Sequence, residues 1–165
     1  MTRKTMILLV AALLVIPLLS LGLTSCAKKE EAAAVPVDEE AARKAKIEAE
    51  LRERFLNEHA LFDFDRYDIR PDTADVLRFK AEYMSGHPSV GVEVQGHCDE
   101  RGSLQYNIAL GDRRAHAAAN FVESLGIDPG RMAPVTYGEE VPLDPGHDEA
   151  AWARNRRAQF VITSE

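Results

Sequence analysis

The stretch SVGVEVQGHCDERGSLQYNIALGDRRA, residues 89–115, joins a strand pattern to a helix pattern through a charged loop. Its first part alternates in hydropathy, with Val90, Val92 and Val94 on one side, as side chains do on a half-buried strand. From Leu104 the apolar residues recur at three- and four-residue intervals, which is typical of an amphipathic helix, here continuing to Leu125. The stretch therefore predicts a strand at 89–97, a short loop and a helix that packs on the sheet.

The same two periods recur on both sides of this unit. Gly86 and Pro88 separate the strand from a preceding helix, and a Pro- and Gly-rich loop runs to Gly146. Strands that alternate with helices in a chain of this size indicate a two-layer α/β domain. The remaining predicted elements are a strand at 60–64, a helix at 71–84, a strand at 132–138, a short helix at 148–155 and a last strand at 156–162.

The N-terminus has the pattern of an export signal. Arg3 and Lys4 precede an uncharged apolar run at 6–23, and the sequence LTSC ends at Cys26. LTSC resembles the lipobox of bacterial lipoproteins, in which the signal is cleaved before a cysteine that is then acylated. The residue after this cysteine is Ala27 and not an aspartate. In the lipoproteins that the sequence resembles, this implies sorting to the outer membrane. A retained membrane anchor is the alternative, because the apolar run approaches the roughly 20 residues that span a bilayer.

This interpretation divides the chain into a signal peptide at 1–25, a lipid-bearing tether and solvated helix at 26–56, and a globular domain at 57–165. Residues 27–38 are small, charged and interrupted by Pro36, as expected of a flexible tether. The segment from Glu39 to Leu56 carries only a narrow apolar stripe among many charged side chains, so its helix is expected to be mostly solvated.

The charge and the cysteine content argue against nucleic-acid binding and against an internal disulfide. The chain has 20 basic and 27 acidic residues, and removal of Arg3 and Lys4 with the signal leaves a net charge of −9. Nucleic-acid binding needs a basic surface, so it is not expected. With Cys26 acylated, Cys98 is the only free thiol, and no internal disulfide can form.

Strand alternation also constrains the residues around Cys98. It places Gly96 and Cys98 on the apolar face, and His97 and Asp99 on the opposite face. Cys98 is then a buried, unreactive side chain. A zinc site would need thiolate, imidazole and carboxylate on one side, and nucleophilic catalysis would need a base directed at Cys98. We therefore expect no metal, no enzymatic activity and no cofactor besides a covalent lipid on Cys26.

Asp99, at the end of the strand, and Arg114, on the following helix, form a pair of opposite charges. Helical geometry places Arg114 at the rim of the predicted core stripe, in line with Asn107 and Leu110, while Arg113 faces solvent. A structural ion pair or a loop-capping aspartate is one interpretation. The other is recognition of a zwitterion, with Asp99 binding an ammonium group and Arg114 a carboxylate. The spacing alone does not choose between them.

Four segments carry a resemblance to a known family: GHCDERGSLQYNIALGDRRA at 96–115, FDFDRYDIRPD at 62–72, VEVQGH at 92–97 and VTYGEEVPLDPGHDEAAWARNRRAQFV at 135–161. In their order along the chain, and together with the lipobox at Cys26, they resemble the OmpA-like C-terminal domain, a peptidoglycan-binding module, and above all its lipid-anchored members. The resemblance implies a βαβαβ-type two-layer sandwich, α/β (α+β), with a mixed four-stranded sheet. Cys98 departs from the family, which usually has alanine or threonine there.

The resemblance also implies a ligand, the meso-diaminopimelate side chain of peptidoglycan, whose far end carries both an ammonium group and a carboxylate. Asp99 would bind the ammonium group and Arg114 the carboxylate. The backbone around Phe64 and Asp65 and the segment from Leu110 to Ala115 would line the pocket. The supporting residues implied by the motif are His97 as a hydrogen-bonded residue, Asn107 as the residue that orients the loop, and Arg156 and Arg157 as ties between the last strand and a neighbouring loop.

A cellular role follows from the same resemblance. The protein would be an outer-membrane lipoprotein that faces the periplasm, carries palmitate or a similar lipid on Cys26, and binds peptidoglycan without catalysis. Its implied partners are the Tol proteins, TolB above all, with roles in envelope integrity and cell division. Two alternatives remain: an adaptor that binds TolB but no cell wall, and a peptidoglycan hydrolase.

Overall fold

The computed structural model describes residues 37–165, which form four helices, four strands and one 3₁₀ turn. The predicted signal peptide, Cys26 and most of the tether lie outside the described residues. Among residues 37–165, no helix is both long and apolar enough to cross a membrane. The elements are α1 Val37–Asn57, β1 Ala60–Leu61, α2 Pro71–Gly86, β2 Gly91–His97, α3 Leu104–Ser124, the 3₁₀ turn Pro129–Arg131, β3 Met132–Gly138, α4 Glu149–Asn155 and β4 Arg157–Ser164.

The strands form one mixed four-stranded sheet in the order β1-β4-β2-β3. β2 runs parallel to β3 and antiparallel to β4, and β4 pairs antiparallel with β1. Val92, Val94 and Phe160 form one core cluster with Leu77 of α2 and Val122 of α3. The helices therefore cover one face of the sheet, and the predicted two-layer α/β sandwich with a mixed sheet is confirmed.

The first strand is shorter than its apolar pattern predicts. β1 ends at Leu61, although the N–H of Phe62 still donates to the carbonyl of Arg156 at 2.9 Å. Asp65 then has a φ of 56°, a left-handed conformation that residues with side chains seldom adopt and that cannot continue a strand. The predicted strand at 60–64 is therefore wrong at 62–64, which form the start of a loop instead.

Helix α3 approaches β2 through two glycines. A Cβ atom built on Gly96 would lie only 1.9 Å from the carbonyl oxygen of Gly111, and one built on Gly111 would lie 2.8 Å from the carbonyl oxygen of Gly96. The two backbones are thus in direct contact, which only glycine permits. This contact fixes the distance between the end of β2 and the helix that carries Arg114.

The buried face of α3 differs from the predicted stripe. The apolar spacing from Leu104 to Leu125 predicted a stripe that packs on the sheet, but three of its large apolar residues, Leu104, Ile108 and Leu125, are exposed. The side of α3 that faces the sheet and the loop before α2 consists of small, apolar and polar residues together: Asn107, Leu110, Gly111, Arg114, Ala115, Ala118, Ala119 and Val122. The spacing of apolar residues predicted the wrong buried face for α3, because two residues of the observed buried face, Asn107 and Arg114, are polar.

Helix α1 is solvent-exposed over most of its length and attaches to the domain at its last turns. Its side chains at 38–54 are exposed, whereas Phe55 is fully buried and stacks on Tyr83. The ammonium group of Lys80 donates to the carbonyl of Phe55, and Arg52 pairs with Glu165 at 2.6 Å. The C-terminal end of α1 therefore belongs to the core of the described domain.

Candidate ligand-binding site

A cavity of about 210 Å³ opens where the end of β2, the start of α3 and the loop before α2 meet. Asp99 and Arg114 both line this cavity, together with Phe64, Asp65 and Leu110. Five of the six predicted ligand-binding residues are thus brought together from three separate parts of the chain. Ala115 is the exception, because it is fully buried beside the Gly96 contact and does not line the cavity.

Arg114 is buried rather than at the rim, which corrects the prediction. Its side chain is 1% exposed, and Nε donates to the carbonyl of Arg66 at 2.9 Å while Nη2 donates to that of Asp63 at 3.1 Å. Nη1 donates to the carbonyl of His97 at 2.8 Å. Carbonyl groups of a distant loop and of the strand end therefore replace the water that the cation loses on burial.

No carboxylate within residues 37–165 forms a salt bridge with Arg114, although other arginines near the cavity have such partners. Burial accordingly lowers the pKa of the Arg114 guanidinium, and the nearby Cys98 and Asp99 oppose this only in part. A buried cation that is held by carbonyl dipoles and faces a cavity is a strong site for an anion. The geometry therefore favours an anionic group of a ligand at this point.

Asp99 is also buried, at 4% exposure, and its carboxylate has two arginine partners. Oδ2 accepts from Nη2 of Arg101 at 2.8 Å and from Nη1 of Arg156 at 3.1 Å. Burial raises the pKa of Asp99, but the hydrogen bonds from Arg101 and Arg156 outweigh it and keep the pKa below its usual value. Asp99 is therefore ionised at neutral pH, and its salt bridges are to these two arginines rather than to Arg114.

Strand alternation is interrupted at the end of β2, so His97 and Cys98 are both buried. The register of β2 against β3 shifts between Gly96 and His97. His97 was expected to be hydrogen-bonded, but neither ring nitrogen has a partner among the described residues, and the ring stacks on Tyr137 at 5.5 Å. Burial, with help from Arg157, lowers the pKa of His97 to about 3. His97 thus packs as a neutral aromatic ring.

Cys98 also lines the cavity. Its Sγ donates to the carbonyl of Asn107 at 3.3 Å and accepts from Nη1 of Arg114 at 3.4 Å. Burial raises the pKa of the thiol to about 11, and the nearby Arg114 offsets this only partly. The thiol is therefore protonated at neutral pH, which fits a packing role.

The other supporting residues hold loops around the cavity. Nδ2 of Asn107 donates to the carbonyls of Asp99 and Arg101 at 3.2 and 3.3 Å, and also to the carboxylate of Glu139. Arg156 donates to the carbonyl of Phe62 at 3.1 Å as well as to Asp99. Arg157 reaches the carbonyl of Val141 at 3.5 Å. These contacts have the geometry of structural ties.

Sequence reasoning missed Arg101 and Tyr106, which also line the cavity. The Arg101 guanidinium lies between two aromatic rings, 4.1 Å from the centre of Phe64 and 4.2 Å from that of Trp152. Trp152 is only half-buried, and its ring flanks the Arg101 guanidinium at the surface. The hydroxyl of Tyr106 donates to Asp65. Helical spacing could have indicated Tyr106, since it lies four residues before Leu110 and therefore on the same side of α3.

The family of the chain follows from comparison with known proteins. The OmpA family model matches residues 61–156, which include every residue that lines the cavity. The chain belongs to the OmpA family. The family predicted from the four segments is therefore confirmed.

Relatives in the family agree with the more specific resemblance. The chain is 44% identical to a peptidoglycan-associated lipoprotein of Haemophilus influenzae over 110 aligned residues. The aligned residues cover 67% of this chain and 71% of that protein. Identity to the protein of the same name from Agrobacterium fabrum is 39% over 107 residues, which span only 60% of that relative. The predicted resemblance to lipid-anchored members is confirmed, and the names of these relatives describe no enzyme.

Solved structures show the same fold. The crystal structure of the peptidoglycan-associated lipoprotein from Burkholderia pseudomallei superposes with a TM-score of 0.63 at 39% identity and covers 66% of this chain and 92% of that one. The C-terminal domain of Helicobacter pylori MotB superposes with a TM-score of 0.61 at 18% identity, over 66% of this chain and 85% of that one. At this low identity the second likeness concerns the fold alone.

Proposed function

We propose that the domain binds peptidoglycan without catalysis by holding the zwitterionic end of a meso-diaminopimelate side chain in the cavity. The observation that carries this proposal is Arg114, a buried cation that has no carboxylate partner within residues 37–165 and lies on the same small cavity as Asp99. In this arrangement Arg114 binds the distal carboxylate of the ligand, and Asp99 binds the distal ammonium group.

The charges and the size of the cavity support such a ligand. A zwitterion brings one charge of each sign, so Arg114 gains the carboxylate partner that it lacks, Asp99 receives an ammonium group, and the net charge of the site does not change. A volume of about 210 Å³ is below the range of pockets for whole drug-sized ligands and suits the end of one amino-acid side chain. Three carbonyls fix the Arg114 guanidinium in advance, which reduces the entropy lost on binding.

The role in the cell extends this proposal. The two relatives compared above are named as peptidoglycan-associated lipoproteins, and the LTSC sequence supplies a cysteine for acylation. We infer that Cys26 carries the lipid, that the outer membrane holds the chain there, and that the domain ties this membrane to the cell wall. Tol proteins, TolB in particular, are the proposed protein partners, with roles in envelope integrity and cell division.

Sedimentation with purified cell-wall sacculi tests the binding proposal. The full-length chain in detergent should sediment with sacculi that contain meso-diaminopimelate and remain in solution with sacculi that contain lysine instead. Asp99→Ala and Arg114→Ala should both abolish sedimentation. Arg113→Ala is the matched control, because Arg113 is the exposed neighbour of Arg114 and does not line the cavity.

Each of the other results would point elsewhere. Equal sedimentation of all variants would contradict the assigned residues. Absence of sedimentation by the unaltered chain, with TolB still bound, would favour the adaptor function. Release of soluble fragments from the sacculi would favour a hydrolase.

A further inference from the structure

The carboxylate that would bind an ammonium group is already occupied by cations of the protein itself. Oδ1 of Asp99 accepts from the backbone N–H of Arg101 at 3.1 Å and from its Nε at 3.2 Å. Oδ2 accepts from Nη2 of Arg101 and from Nη1 of Arg156. Both oxygens therefore face guanidinium groups, and a ligand ammonium has to replace one of these contacts.

The two arginines differ in how firmly they are held. The side chain of Arg156 is 7% exposed and also donates to the carbonyl of Phe62 and to Glu149 at 2.8 Å. Arg156 thus ties three segments together, and its departure would leave the carbonyl of Phe62 without this donor. It is therefore the fixed partner of Asp99.

Arg101 has the features of a replaceable partner. Its side chain is 30% exposed and lines the cavity, whereas that of Arg156 does not. Glu149 is a second carboxylate within reach, with Oε2 at 3.4 Å from Nη1 of Arg101 and exposed to solvent. The rings of Phe64 and Trp152 flank the guanidinium, and they provide an apolar slot in which a planar group can slide.

We propose that Arg101 is an internal competitor of the ligand that occupies the ammonium position beside Asp99, moves towards Glu149 when the ligand binds, and thereby lowers the affinity of every ammonium-bearing ligand. This inference rests on the proposed function, because it concerns the same cavity. Every ammonium-bearing ligand then loses part of its binding energy to the displacement of Arg101. Only a ligand that also brings a carboxylate to Arg114 compensates for that loss.

A simple ammonium side chain, such as lysine, lacks this compensation and binds weakly. The displacement is the same for every ligand with a distal ammonium group, so removal of Arg101 strengthens all such ligands by the same factor. A ligand that has only the distal carboxylate leaves Arg101 in place and is unaffected. This pattern across ligands separates displacement from a general change in the site.

Calorimetric titration of the full-length chain in detergent tests the proposal with three cell-wall tripeptides. Their third residue is meso-diaminopimelate, lysine without the distal carboxylate, or α-aminopimelate without the distal ammonium group. Arg101→Gln should raise the affinity for the first two by roughly three- to tenfold, the range expected when a half-exposed ion pair no longer competes. The affinity of Arg101→Gln for the α-aminopimelate tripeptide should stay unchanged.

Two further variants distinguish the displacement of Arg101 from a long-range effect of its charge. Arg101→Lys keeps the charge but loses the planar two-point contact with Asp99, so it should show part of the gain. Arg113→Gln removes a nearby exposed charge outside the cavity and should show little gain in affinity. Equal or weaker binding of diaminopimelate by Arg101→Gln would overturn the proposal, as would an equal gain for α-aminopimelate or for Arg113→Gln.

Failure of the proposed function would be recognised separately. It would appear as no binding of any tripeptide by the unaltered chain or its variants. The displacement would then be decided by nuclear magnetic resonance of the Asp99 side-chain carboxyl carbon during titration with methylammonium chloride. Arg101→Gln should respond at lower methylammonium concentrations than the unaltered chain, and an identical response would overturn the inference.

Discussion

Replacement of Gly96 by alanine should separate α3 from β2 and weaken both folding and ligand binding. The added Cβ would lie 1.9 Å from the carbonyl oxygen of Gly111, 2.7 Å from its carbonyl carbon and 3.1 Å from the backbone nitrogen of Ala115. Ordinary contact begins near 3.4 Å, so the helix has to retreat by about 1.5 Å. All three atoms belong to the backbone, and no side-chain rotation can relieve the overlap.

The magnitude follows from what is known of overpacked cores. Such substitutions cost about 1–3 kcal/mol when side chains can adjust, and a rigid backbone contact belongs at or above the upper end. We expect Gly96→Ala to lower the free energy of unfolding by about 3 kcal/mol or more, a large part of the ~5–15 kcal/mol of a typical domain. Arg114 lies on the displaced helix, so affinity for diaminopimelate peptides should also fall.

Urea unfolding followed by circular dichroism measures the change, and Gly86→Ala is its control. A Cβ on Gly86, the last residue of α2, would meet no atom within 4 Å, so this variant should be as stable as the unaltered chain or up to about 1 kcal/mol more stable. If Gly96→Ala unfolded at the same urea concentration as Gly86→Ala, the argument that glycine contact positions Arg114 would be refuted.

Two other predictions concern buried titratable groups. Burial lowers the pKa of Lys80 from 10.5 to about 7, so between these values the unfolded state holds a proton that the native state has lost. The free energy of unfolding should therefore rise with pH across this window, by at most about 1.4 kcal/mol per pH unit, and Lys80→Met should flatten the rise. Urea unfolding at pH 7 and pH 9 measures both slopes, and equal slopes would contradict the burial argument. Burial raises the pKa of Cys98 to about 11 from 9.0, so in a Cys26→Ser chain its native alkylation at pH 8 should be at least about 100-fold slower than in urea; a comparable rate would show that the thiol is accessible.

Much of the fold could be predicted because its elements have strong local periods. The helix predicted at 71–84 is observed at Pro71–Gly86, the one at 104–125 is observed at Leu104–Ser124, and the strand predicted at 132–138 is observed with those bounds. Alternation and helical spacing depend only on neighbouring residues, so one sequence contains them fully. The end of β1 is different, because Asp65 adopts a positive φ that no hydropathy pattern indicates.

The sequence predicted several residues of the cavity but not their contacts. Asp99 and Arg114 line the same cavity, as the opposite charges on strand end and helix suggested. Arg114 was assigned to the rim because helical patterns count a charged residue as exposed. Its burial depends on the carbonyls of Asp63 and Arg66, about fifty positions earlier in the chain. Such long-range partners, like the pairing of Asp99 with Arg156, become visible only in the folded chain.

The most direct test measures whether Arg114 binds the distal carboxylate of the ligand. Calorimetry would compare diaminopimelate and lysine tripeptides on the full-length chain and on Arg114→Met, whose folding is checked by circular dichroism. The unaltered chain should prefer the diaminopimelate peptide by a factor on the order of 10–100, as expected for a charged hydrogen bond in a buried site. Arg114→Met should bind both peptides with equal affinity. Retention of the full preference by Arg114→Met would contradict the account, because the carboxylate would then be bound elsewhere.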